Sequence, residues 1–146
     1  MKLSTKGRYG IRLMFDLAAH YGERPVLLRE IAEREDISEK YLWHLINPLK
    51  GVGLVKATRG VHGGYVLGKP PAEISMKDVL QVLEGPLCLL DCVEDPSACK
   101  RSSFCVAHDI WGEVAKTFSE KLESTTLADM VERKKSKQSR SDDYMI

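Results

Sequence analysis

The sequence has no long apolar run: behind the basic start Met1–Lys6, the charged or polar Arg12, Asp16 and His20 break up the hydrophobic residues. A bilayer-spanning helix needs about 20 consecutive apolar residues, so neither a signal peptide nor a membrane anchor is expected, and the reading is a cytoplasmic protein. Motifs of common enzyme chemistries are also missing. There is no Cys-x-x-Cys redox pair, no Cys-x3-Cys-x2-Cys radical-enzyme motif and no Gly-Lys-Ser/Thr phosphate loop. An enzyme is therefore not expected. Strong net charge is absent too, at +1 over 146 residues.

That near-neutrality hides an asymmetry. Residues 1–70 hold 12 Lys/Arg against 7 Asp/Glu, and residues 71–146 hold 10 against 14. The basic half is the candidate nucleic-acid face. With 43% hydrophobic and 29% charged residues, the chain has the composition of a foldable domain.

Ser4 and Thr5 offer N-cap oxygens to a first helix whose apolar face is Ile11, Met14, Phe15, Ala18 and Tyr21, ended by Gly22. After an extended link at Pro25–Leu27, Leu28, Ile31 and Ala32 mark a short helix ending near Asp36. Ser38 caps the next, in which Leu42, Leu45, Ile46 and Leu49 form the buried stripe and Pro48 distorts the last turn. Two short helices joined by Glu35-Asp36-Ile37-Ser38 make a helix-turn-helix. Strands at 54–57 and 65–67, linked by a glycine-rich basic tip at 58–64, add a wing. A phosphate loop would lead from strand into helix, whereas this loop joins strand to strand. The predicted fold is mainly α with a small β-hairpin wing: a winged helix-turn-helix over 1–70. Ser38, Lys40, Tyr41, Trp43 and His44 on the second helix and Arg59 on the wing are its candidate DNA contacts.

A connecting helix is predicted within 71–85, over Met76–Glu84, capped by Ser75 and stopped by Gly85-Pro86. Residues 86–104 read as an ordered loop. A dimerisation helix and C-terminal turn are assigned to 105–131, with Trp111, Ala115, Phe118 and Leu122 spaced for packing on a second copy. The polar stretch 132–146 reads as a disordered tail. A two-fold dimer predicts a roughly palindromic operator.

All four cysteines fall between residues 88 and 105. In a reducing compartment they point to metal before disulfides. Cys92, Cys99, Cys105 and His108 offer three thiolates and an imidazole, the last two at i and i+3 on one helix face. Such a set fits a [2Fe-2S] cluster or tetrahedral zinc. Cys88, in the apolar run Leu87-Cys88-Leu89-Leu90, reads as a buried hydrophobe. Zinc fingers of the Cys3His type bind single-stranded RNA, but they stack bases on aromatic residues between ligands and only Phe104 is available here. Cys105 with His108 could be a nucleophile and base, yet nothing orients the histidine.

Met1-Lys-Leu-Ser-Thr-Lys-Gly-Arg-Tyr9, Ile37-Ser38 with Tyr41-Leu42, Gly53-Leu54-Val55, Arg59-Gly60 with Gly63-Gly64-Tyr65, and Leu67-Gly68 closely resemble the iron-sulfur cluster regulators of the IscR family, to about Val131. The resemblance implies a homodimeric winged-helix transcription factor that controls cluster-assembly genes. It also implies a [2Fe-2S] cluster held by Cys92, Cys99, Cys105 and His108. Relatives without these cysteines use the same fold for other signals. Two features depart from the pattern: Trp43-His44 stands where Glu-Gln is usual, and the first ligand gap is six residues where five is familiar.

Overall fold

The computed structural model describes residues 3–144. Its first helix, α1, runs Thr5–Ala19, capped by the Ser4 hydroxyl, which accepts from the Gly7 N–H. Leu13, Met14 and Leu17 on one side of α1 are fully buried. They meet Ile31 of α2 (Leu28–Glu35) and Leu42, Leu45, Ile46 and Leu49 of α3 (Glu39–Gly51). Each such side chain contributes about 1.5–3 kcal/mol by leaving water, and this stripe fixes which face of α3 points outward.

Asp36 ends α2 in the left-handed region (φ 53°), a conformation Asp tolerates better than most residues. Ser38 then caps α3 by accepting from the Tyr41 N–H. The turn is pinned from α1. Arg34 donates to both Asp16 carboxylate oxygens at 2.9 and 2.8 Å, and Arg12 donates to Glu35. Asp16 is buried, so leaving it unpaired would cost about 3 kcal/mol. The α3 helix runs through Pro48 to Gly51, and Pro48 has no N–H for the helix ladder.

The wing is an antiparallel pair, β1 (Val55–Thr58) and β2 (Gly64–Leu67), in register Val55↔Leu67 to Thr58↔Gly64. The Pro25–Leu27 link does more than span a gap. Val26 exchanges two backbone hydrogen bonds with Tyr65, at 2.9 and 2.8 Å, and so flanks β2. Gly64 permits that approach, because a β-carbon there would stand 2.6 Å from the Val26 carbonyl oxygen.

α4 (Met76–Glu84) opens with a capping box between Ser75 and Asp78. At its other end Glu84 reaches across to the start of α1, accepting from the backbone N–H groups of Ser4 and Gly7 at 3.2 and 3.1 Å. A carboxylate is favourable there, at the positive end of the α1 dipole. Residues 86–104 carry two short turns, α5 (Asp91–Glu94) and a 3₁₀ turn at Pro96–Ala98.

The long helix α6 spans Val106–Ser124. Of the residues spaced for packing on a second copy, Trp111 stands exposed and Leu122 is taken up by the chain itself. Leu122 packs on the chain's own core, and Phe118 lines a cleft with Leu3, Leu87 and Leu89, so the C-terminal half of α6 is occupied within the molecule. On the N-terminal half His108 meets Cys92 of α5, while Val106, Ile110, Trp111 and Val114 are 74, 52, 46 and 43% exposed.

The tail assignment also needs correcting. A single helix, α7, covers Leu127–Tyr144, where a turn and a disordered 132–146 segment were expected; residues 145 and 146 lie outside the described residues. Leu127, Met130 and Val131, at i, i+3 and i+4, anchor α7 on the core, and the Lys, Arg and Gln that follow have good helix propensity. Backbone bonds from Met76 N–H to Thr125 and from Leu127 N–H to Ile74 fasten the α6–α7 joint to the start of α4. Among the described residues no helix is long and apolar enough to cross a membrane.

Candidate nucleic-acid interface and metal centre

With Leu42, Leu45, Ile46 and Leu49 turned inward, α3 presents Lys40, Trp43, His44 and Asn47 to solvent. These positions recur at i, i+3, i+4 and i+7, one continuous stripe along the helix. Trp43 is 51% exposed and meets the His44 ring edge-on, with centroids 5.6 Å apart. Both rings are open to solvent. They can offer apolar contact to a thymine methyl and an imidazole donor or acceptor to a base edge.

Tyr41 behaves differently from the other proposed contacts. It lies beside the buried stripe, half-buried, with its ring edge-on to Tyr9 of α1 at 5.7 Å. Its place between α1 and α3 makes it a brace for the helix. Ser38 is exposed, and while its oxygen caps the helix its O–H remains able to donate to a phosphate.

Arg59 stands exposed at the wing tip, where Gly60 takes φ +106° and the Gly63 N–H closes the turn onto the Gly60 carbonyl at 3.0 Å. No acidic side chain is within 4.0 Å of its guanidinium among the described residues. A free cation on a narrow hairpin suits phosphate or the minor groove. Arg59→Ala is expected to weaken duplex binding whatever the sequence and to lower the slope of log K against log salt by about one unit. Binding isotherms at several salt concentrations measure both quantities.

In the cysteine loop two of the four candidate donors touch. The Cys92 sulfur of α5 lies 3.5 Å from Nδ1 of His108 on the first turn of α6. Cys105, half-buried, is the residue that starts α6, and Cys99 is exposed at the end of the 3₁₀ turn, its carbonyl accepting from the Ser102 hydroxyl. Among the described residues no three potential ligands converge on one point. The donor chemistry fits a cluster or zinc, and Cys92 with His108 would be the half of the set already paired.

Cys88, expected inside, is exposed. It lines an open cleft with Leu3, Glu84 and Phe118, while its neighbour Leu87 is the residue of the apolar run that packs on the core. Desolvation by its apolar neighbours, followed by the Glu94 and Asp91 carboxylates, pushes its thiol above the usual range.

Sequence reasoning missed Glu84 and Val26. Glu84 acts across 80 residues of chain, and Val26 makes an isolated backbone bridge; neither leaves a local pattern.

The comparisons with known proteins agree with this geometry. The Rrf2 family model, described as an iron-dependent transcriptional regulator, matches residues 3–133. The transcriptional regulator CymR of Bacillus subtilis is 44% identical over 130 residues, covering 89% of each chain. Protein rrf2 of Nitratidesulfovibrio vulgaris is 42% identical over 131 residues, 90% of this chain and 87% of its own. Among solved structures, T. potens IscR superposes with a TM-score of 0.78 at 44% identity, covering 94% of this chain and 91% of its own. Curated IscR regulators of Serratia proteamaculans and Yersinia pseudotuberculosis are 37 and 35% identical, below CymR and protein rrf2, so the comparisons show the Rrf2 family and do not single out IscR. A winged helix-turn-helix with an outward recognition stripe, matched by these regulators over most of its length, makes the chain a member of the Rrf2 family of DNA-binding transcriptional regulators.

Proposed function

We propose that this regulator works as a homodimer whose 86–108 loop holds a [2Fe-2S] cluster through Cys92, Cys99, Cys105 and His108, and that it controls iron-sulfur cluster assembly genes. The observation that carries the reading is the donor set: three thiols and an imidazole confined to one loop, with the Cys92 sulfur 3.5 Å from His108 Nδ1. A bound cluster supplies a redox-active group that is labile to acid, oxidation and iron shortage, the more so because imidazole is displaced more easily than thiolate.

The protein's own residues supply the connection to DNA. Cys105 and His108 sit at the start of α6, so ligation at that end orders the loop against the helix. The other end of the loop leaves α4 at Glu84, the residue that caps α1. Loop and DNA-binding half are therefore joined through Glu84. Val106, Ile110 and Val114 are the face on which a second copy packs. A two-fold dimer would set two α3 helices against half-sites about 34 Å apart, one DNA turn.

The test compares metal-free protein with protein reconstituted anaerobically with iron and sulfide, each selected against randomised duplex DNA. Recovered sites are expected to be roughly palindromic, and affinity or site preference is expected to differ between the two forms. Identical affinities and identical preferences would overturn the sensor reading while leaving the DNA-binding fold untouched. Stoichiometric zinc in the reconstituted protein would replace the sensor with a structural metal.

A further inference from the structure

A cleft of about 350 Å³ lies where α1, α4 and α7 meet, away from the α3 stripe and the cysteine loop. Its floor is apolar: Phe15 of α1, Met76 at the start of α4 and Met130 of α7. Its rim is basic, made by Arg133, Lys134 and Lys137 on consecutive turns of α7. Lys134 Nζ is held 5.3 Å from the centre of the Phe15 ring, which places a cation over the floor. None of the three rim cations has an acidic side chain within 4.0 Å among the described residues; the nearby tail pair is Lys135 with Glu132. The carboxylate at the rim, Asp129, already accepts from the Thr126 backbone N–H at 2.9 Å.

Three cations outnumber the single rim carboxylate, Asp129, so the rim keeps a net positive charge that a bound anion would neutralise. Inorganic phosphate would neutralise the rim and leave the floor wet. Lipid and peptide need a longer groove. The volume is at the small-molecule end of the range for binding sites, about 300–1,000 Å³. We propose that this cleft binds a small organic anion with an apolar body, such as a medium-chain or aromatic carboxylate, its carboxylate held by Lys134, Lys137 and Arg133 and its body by Phe15, Met76 and Met130. The Rrf2 match ends at residue 133, so Lys134 and Lys137 belong to the stretch beyond the shared family segment.

Methionine methyl NMR on the whole chain reads this site directly. Met76 and Met130 line the cleft, and the fully buried Met14 reports folding. Octanoate is expected to shift the Met76 and Met130 methyls saturably and leave Met14 in place. Octylammonium and inorganic phosphate are expected to shift neither. The double substitution Lys134→Gln with Lys137→Gln should weaken octanoate binding about tenfold, the scale of lost charge-assisted contacts, with Met14 unmoved. Absence of octanoate shifts, equal shifts with octylammonium, or unchanged affinity in the folded double variant would each overturn the proposal. The comparison of octanoate with octylammonium on the unaltered chain decides the question even if the variant fails to fold.

Discussion

Alanine at Cys92, Cys99 or Cys105 is expected to leave a protein that retains no iron, a loss that is complete and not graded. A two-iron cluster takes four ligands from the protein, and a missing thiolate leaves an iron site open to solvent and oxygen. Cys92 is the most exacting case, because its sulfur is the partner of His108. Cys88→Ala is expected to load fully, because Cys88 stands outside the Cys92, Cys99, Cys105 and His108 set. His108→Cys is expected to give a more persistent cluster, with thiolate in place of the displaceable imidazole. Iron and sulfide per chain after anaerobic reconstitution, with visible absorbance, check all five proteins. A bleached Cys88→Ala protein beside a loaded Cys99→Ala protein would mean that the loop uses a different set of ligands.

Ile110→Asp is expected to turn a dimer into a monomer. Val106, Ile110 and Val114 recur every four residues on the N-terminal half of α6, and Ile110 is the middle one. Neighbouring large apolar side chains left open in this way mark an interface more often than a solvated face. A carboxylate at the centre of that interface would be buried without a partner. Sedimentation equilibrium is expected to give the 16.4 kDa chain mass for the variant and twice that for the unaltered protein. Affinity for a two-half-site duplex should fall on the order of a hundredfold, because the second half-site is no longer tethered to the first. A variant that still sediments as a dimer would move the interface elsewhere on the surface.

Much of the DNA-binding half was legible because its signals are local. Ser4 and Ser38 cap the helices predicted from them, as Ser75 does for α4 beyond that half, and the Leu42-Leu45-Ile46-Leu49 stripe sets the outward face of α3. Tyr41 was assigned to that face although it borders the stripe; its ring found Tyr9, a neighbour that α3 alone does not reveal. Spacing along α6 identified an amphipathic helix but not which half the chain itself would cover, since that depends on where α4 and the 86–104 loop lie. The α7 helix was missed because residues 132–144 have no apolar period, and helix propensity alone is a weak signal. The motifs that carry the resemblance to the cluster regulators lie in residues 1–68, outside the cysteine loop, and it is the donor set in that loop that points to a cluster.

The most direct measurement is the metal content of the chain purified without oxygen. A red-brown solution is expected, with about two irons and two sulfides per chain and a colour that fades in air or chelator. A colourless protein carrying one zinc per chain would contradict it, leaving a Rrf2-family regulator with a structural metal where a sensor is proposed.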